Sequence, residues 1–230
     1  VLNLATESDR SEAEKMVAAV AHKIENPQAQ AASILTVLPK VEDLKDRASL
    51  LRILGRIGDS SALPAVRTAL GHSEKAIQDA ALRALCEWPT PEPVPDLLKV
   101  AQNSDNRVHQ ILALRGFVRL LGLESDRPAG ETIDLYRKAM DLAPNAVEKK
   151  RVLAGLGGQA MPAALEMAAG YMDDETLHLE AESAVVRIAR RIGADHPDRC
   201  KAILGQVVEK TQNETIRGQA QEVINQLKGA

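Results

Sequence analysis

The stretch Leu51-Arg52-Ile53-Leu54-Gly55-Arg56-Ile57-Gly58-Asp59 is echoed by Ala81-Leu82-Arg83-Ala84-Leu85-Cys86-Glu87-Trp88 and again by Ala113-Leu114-Arg115-Gly116-Phe117-Val118-Arg119-Leu120-Leu121. The three lie about 31 to 32 residues apart, a period that belongs to stacked helical hairpins. Each closes a run with apolar residues at helical spacing, and each carries arginine on the polar side of that run. The chain therefore reads as an all-α repeat array in which no hairpin can bury its apolar stripe without a neighbour.

Outward from this core, Pro, Gly, Asn and Ser mark where helices start and stop, as at Gly71 and Ser73, read as a helix stop and the next cap. Residues 11–24 have Met16, Val17, Val20 and Ile24 as an apolar stripe and read as a leading helix, with residues 1–25 forming a cap over the first hairpin. Six hairpins follow over residues 27–227. Their paired helices are expected near 27–38 and 42–57, 62–70 and 74–87, 94–102 and 106–121, 131–143 and 146–156, 162–172 and 175–192, and 197–211 and 214–227. Residues 1–230 are expected to form a single repeat domain. The leucines and other apolar residues Leu51, Leu54, Leu82, Leu85, Leu114, Phe117, Leu153 and Val185 are its expected core.

Composition narrows the function. Hydrophobic residues make up 45% of the chain and aromatics 2%, so the core is built from Leu, Ala, Ile and Val, which suits closely packed helices. A net charge of −3 gives no global attraction to nucleic acid or anionic lipid. No apolar run approaches the roughly 18 residues that cross a bilayer. Cys86 and Cys200 share no redox or metal-ligand spacing and read as small buried apolar residues. The histidines, including His109 and His178 near two helix starts, show no HxxxH or HExxH pattern and read as surface or helix-turn residues. Asp173-Asp174-Glu175 precedes a helix, where carboxylates cap free amide groups, and this outweighs a calcium reading. Gly155-Leu156-Gly157-Gly158 lacks the Lys-Ser or Lys-Thr of a phosphate loop, and such a glycine-rich helix end is expected either to fray or to be closely approached by a neighbour. Trp88 is expected to plug its hairpin, with Tyr136 and Tyr171 packing in the core in preference to anchoring a partner. No catalytic constellation, metal site or cofactor site is expected.

The run Gly55-Arg56-Ile57-Gly58-Asp59-Ser60-Ser61-Ala62-Leu63-Pro64-Ala65-Val66 resembles the linker and first helix of HEAT-like repeats of the phycobilisome-lyase type. Glu148-Lys149-Lys150-Arg151-Val152-Leu153-Ala154-Gly155-Leu156-Gly157, with the later runs at 163–168 and 180–189, is similar to the helical-repeat segment of large bacterial exported multidomain proteins. The resemblance spans about residues 41–228. It implies a right-handed α-α superhelix with the second helix of each hairpin on the inner, concave layer, and a periplasmic or exported location. It also implies a non-catalytic scaffold that binds a protein or peptide. An accessory domain of a secreted sugar-active enzyme is an alternative.

Aligned on their closing apolar residues, the second helices present Arg52, Arg83, Arg115 and Arg151 in one column, and Arg56 and Arg119 in a second column four residues on. Arginine forks suit carboxylates, phosphates or acidic peptides, so these six residues are the candidate binding face. The same residues could instead cover apolar surface with their stems and pair with acids of the adjoining repeat, such as Glu87 or Asp79. Nucleic acid is disfavoured by the scarcity of stacking aromatics.

Overall fold

A computed structural model describes residues 6–227, and among them every regular element is helical; residues 1–5 and 228–230 of the expected single domain lie outside the described residues. The α-helices are α1 (Glu7–Ala21), α2 (Ala32–Val37), α3 (Leu44–Ile57), α4 (Leu63–Leu70), α5 (Lys75–Glu87), α6 (Val94–Asn103), α7 (Arg107–Leu121), α8 (Ala129–Leu142), α9 (Ala146–Leu156), α10 (Pro162–Ala169), α11 (His178–Ile192), α12 (Pro197–Lys210) and α13 (Glu214–Gln226). They fall into two compact units, Val1–Glu124 and Ser125–Ala230, divided at the polar link 124–128. The fold is all-α, and within each unit the helices stack as in a helical-repeat solenoid.

Local chemistry sets the boundaries. Asp43, Asn106, Asn145 and Asn213 each accept backbone N–H bonds at the start of α3, α7, α9 and α13. Gly58 ends α3 in the left-handed conformation (φ 68°), which glycine adopts without steric cost, and any side chain there would strike Pro89. Ahead of α5 it is His72, not Ser73, that accepts a backbone N–H, its Nδ1 taking that of Glu74 at 3.0 Å. The expected helix over 27–38 is interrupted, with α2 flanked by 3-10 turns at Pro27–Ala29 and Leu38–Lys40, because Pro27 and Pro39 fix tight turns within a short segment. Of Asp173-Asp174-Glu175, Asp174 accepts from the N–H of Thr176 (2.8 Å) and Leu177 (3.1 Å) in the turn ahead of α11, whereas α11 itself begins three residues later than expected and has no side-chain cap at Leu177.

In the first unit α1, α3, α5 and α7 pack side by side as one layer, with α4 against α5 and α6 against α7 on the other side. In the second, α8–α9, α10–α11 and α12–α13 form hairpins, and α9, α11 and α13 pack in sequence. All eight expected core residues are buried, together with Trp88 and Tyr136, whereas Tyr171 is only half-buried. Tyr136 keeps a polar partner, its hydroxyl accepting from Gln159 Nε2 at 3.2 Å, and burial pushes its pKa up to about 12.

The leading helix packs on α3, but not through the expected stripe. Met16 and Val20 are 63% and 64% exposed, and the face turned to α3 is Glu14, Ala18 and Ala21, spaced i, i+4, i+7. The reason is electrostatic and steric: small alanines permit close approach, while Glu14, 1% exposed, reaches an arginine of the neighbouring helix.

Candidate arginine-lined groove

The α1–α3–α5–α7 layer of the first unit owes its closeness to small residues. A Cβ on Gly55 of α3 would lie 2.5 Å from Ala84 Cα of α5, and one on Gly116 of α7 would lie 2.5 Å from Cys86 Sγ. These contacts bring the polar sides of α3, α5 and α7 into one strip, where two cavities open. The first, about 440 Å3, is lined by Thr6, Arg10, Leu44, Lys45, Ala48, Arg52, Ala76, Asp79, Ala80 and Arg83. The second, about 230 Å3, is lined by Arg83, Cys86, Glu87, Leu112, Arg115, Gly116 and Arg119. They share Arg83.

The candidate arginines have different surroundings. Arg52 clamps Glu14 with a two-pronged fork, Nε to both carboxylate oxygens at 3.0 Å and Nη2 to Oε1 at 2.6 Å, and Nη2 also donates to Ser49 Oγ at 3.1 Å. Arg10 extends this network to Asp46 (2.8 Å) and Ser49 (3.3 Å). Arg56 is half-buried between Glu14 at 4.0 Å and Glu87 at 3.5 Å. Arg119 serves the backbone: Nε donates to the Cys86 carbonyl at 2.8 Å and Nη2 to the Trp88 carbonyl, so an arginine of one hairpin caps the end of α5 in the previous one. Burial lowers its pKa, yet arginine starts high enough to stay charged. Arg115 is exposed on the wall of the second cavity. Arg151 belongs to the second unit, where it pairs with Glu148 at 3.7 Å. Arg83 is exposed where the two cavities meet and has no hydrogen bond or ion pair to any described residue.

Capping by arginine recurs in the second unit. Arg191 donates to the Gly158 carbonyl at the end of α9, and a Cβ on Gly157 would lie 2.5 Å from Arg187 Nη2. Of the two readings of the glycine-rich end at 155–158, fraying or close approach by a neighbour, this contact matches the second, and a column of sequence-aligned arginines alone does not distinguish it from a ligand site.

Neighbouring groups bear on the chemistry available. Cys200 is buried as expected, while Cys86 is half-buried. The Cys86 thiol donates to the Leu112 carbonyl at 3.4 Å, and burial pushes it up to about 12 against the opposing pull of Arg119 and Arg83, so it is no thiolate nucleophile at neutral pH. Asp79, named in the competing reading as an acid that could neutralise the arginines, meets His109 Nε2. His109 lies in the first turn of α7, as the helix-turn reading has it, but is buried and not on the surface. Glu14, Gly55 and Gly116 were missed from sequence; the i, i+4, i+7 set Glu14-Ala18-Ala21 is the signal that could have exposed the first. Among the described residues no group of three or more His, Cys, Asp or Glu side chains is placed to hold a metal, and no helix is long and apolar enough to cross a membrane.

No curated protein matches the chain. Residues 31–116, the segment that runs from the start of α2 into α7 and supplies most of the groove lining, match the family described as HEAT repeats.

Proposed function

We propose that this protein is a non-catalytic helical-repeat scaffold that docks a protein or peptide segment along the inner-layer groove of residues 6–124, centred on Arg83. Arg52, Arg115 and Arg119 form the flanking walls, with Arg56 holding the layer together behind them and Arg151 as the corresponding position in the second unit. The observation that carries the reading is the juxtaposition of two cavities at an exposed arginine on a face built from HEAT-type repeats, which commonly serve as interaction scaffolds. Helices packed through glycine and alanine make a stiff wall, so a docked segment loses little affinity to reordering of the scaffold. The finer likeness to phycobilisome-lyase-type repeats, and to the repeat segment of exported multidomain proteins, rests on the sequence runs at 55–66 and 148–189 alone.

The test is selection of a randomised twelve-residue peptide library on the full chain. Enriched peptides should lose at least tenfold in affinity to Arg83→Glu and keep it with Arg137→Gln, a change on exposed α8 far along the sequence. Enrichment that is indifferent to Arg83→Glu, or no enrichment, would sink the docking reading.

A further inference from the structure

We infer that the segment docked at Arg83 is acidic, held by a carboxylate of an Asp or Glu side chain; this rests on the docking reading above. The chain contains its own template for the contact. Arg52 and Arg83 hold the same place on consecutive inner-layer helices, and Arg52 grips the Glu14 carboxylate through a fork of three N–H···O contacts. Glu14 reaches it from α1, the helix stacked on α3. One repeat further on, Arg83 presents the same fork to solvent, and no described carboxylate occupies it.

Charge around the site favours the same ligand. Of the cations lining the larger of the two cavities, Arg10 is matched by Asp46 and Arg52 by Glu14, which leaves Lys45 and Arg83 without an acidic partner among the described residues. Among the described residues lining that cavity Asp79 is the one carboxylate, and it is engaged by His109. Ala48, Ala76 and Ala80 provide a shallow floor of small side chains, which fits the methylene stem of a Glu side chain and leaves its head at Arg83. A single planar carboxylate matches a guanidinium fork bidentately. A polyphosphate chain fits less well, because Asp79 and Glu87 line the path on either side and the scarcity of aromatics removes the stacking that single-stranded nucleic acid uses.

The experiment uses the full chain and fluorescein-labelled peptides read by anisotropy: (Ala-Glu-Ser)4, its counterpart (Ala-Gln-Ser)4, and the oligonucleotide dT12. The acidic peptide should bind at least tenfold more tightly than the glutamine peptide. Arg83→Gln should remove that advantage without changing weak binding of the glutamine peptide, and Lys45→Gln should remove part of it. Thermal melts of both variants should match the parent, since both side chains are exposed. Equal binding of the two peptides, an advantage that survives Arg83→Gln, or tighter binding of dT12 than of the acidic peptide would each overturn the inference. If library selection yields non-acidic peptides that still depend on Arg83, the acidic specificity fails while the docking reading stands; if no peptide depends on Arg83, both fail.

Discussion

Arg52 and Arg83 sit at equivalent points of neighbouring repeats, and they have opposite fates. Around Arg52 the molecule is electrostatically closed: Glu14, Asp46, Ser49 and Arg10 form a linked network in which each charge meets its opposite. Around Arg83 it is open, with two cavities and a guanidinium unmatched among the described residues. The difference lies outside both arginines. It comes from whether the adjoining helix contributes an acid at the facing position, as α1 does with Glu14.

The contrast can be broken most severely at the closed end. Glu14→Ala should cost about 3 kcal/mol in denaturant unfolding, because it strands the Arg52 fork in a half-buried site. A loss under about 1 kcal/mol, the range of exposed pairs, would mean the network is no tighter than a surface ion pair. Gly55→Ala should follow, at about 2 kcal/mol, since the new methyl meets Ala84 backbone that cannot move aside. It should also separate α3 from α5 and weaken peptide binding at Arg83, whereas unchanged stability would show that the α3–α5 contact has slack.

Acid provides a milder probe of the same unit. Burial pushes the Asp59 carboxyl up, but N–H donation from Ala31 (3.0 Å) and Ser61 (2.9 Å) outweighs it and leaves the pKa below its usual 3.8. A depressed folded-state pKa contributes stability that is complete above the unfolded value and is lost as pH falls through the folded value. The contribution of Asp59, about 1 kcal/mol on the scale of such hydrogen bonds, should therefore fade once the pH drops below about 4. Comparing melting of Asp59→Ala and parent at pH 7 and at pH 2.5 checks this: the gap should narrow in acid, and a constant gap would assign the effect to packing. Smallest of all should be Arg83→Ala, within about 0.5 kcal/mol at any pH, the usual scale for an exposed side chain away from special features. A larger loss would make Arg83 a structural residue and remove the asymmetry with Arg52.

Much of this architecture was legible from the chain. The hairpin period, the Asn and Asp caps and the buried leucines follow from local rules that hold one helix at a time. What was not legible depends on pairs of helices. Met16, Val20 and Ile24 look like a buried stripe because they are apolar and helically spaced, yet the helix turns Met16 and Val20 outward to seat Glu14 on Arg52. The arginine columns run past the two cavities at Arg52, Arg83, Arg115 and Arg119, but column position does not say whether a guanidinium faces a carboxylate, a carbonyl or water. Gly55 and Gly116 carry no side-chain signal, so their tight contacts emerge only when two helices are laid together.

The Arg119 cap links adjoining repeats in a way that a melting curve would not isolate. Its guanidinium on α7 holds the carbonyls of Cys86 and Trp88 at the far end of α5, while Gly116, one turn away, presses on Cys86. Fraying of the last turn of α5 therefore requires α7 to let go, and the two helices exchange with solvent as one cooperative block.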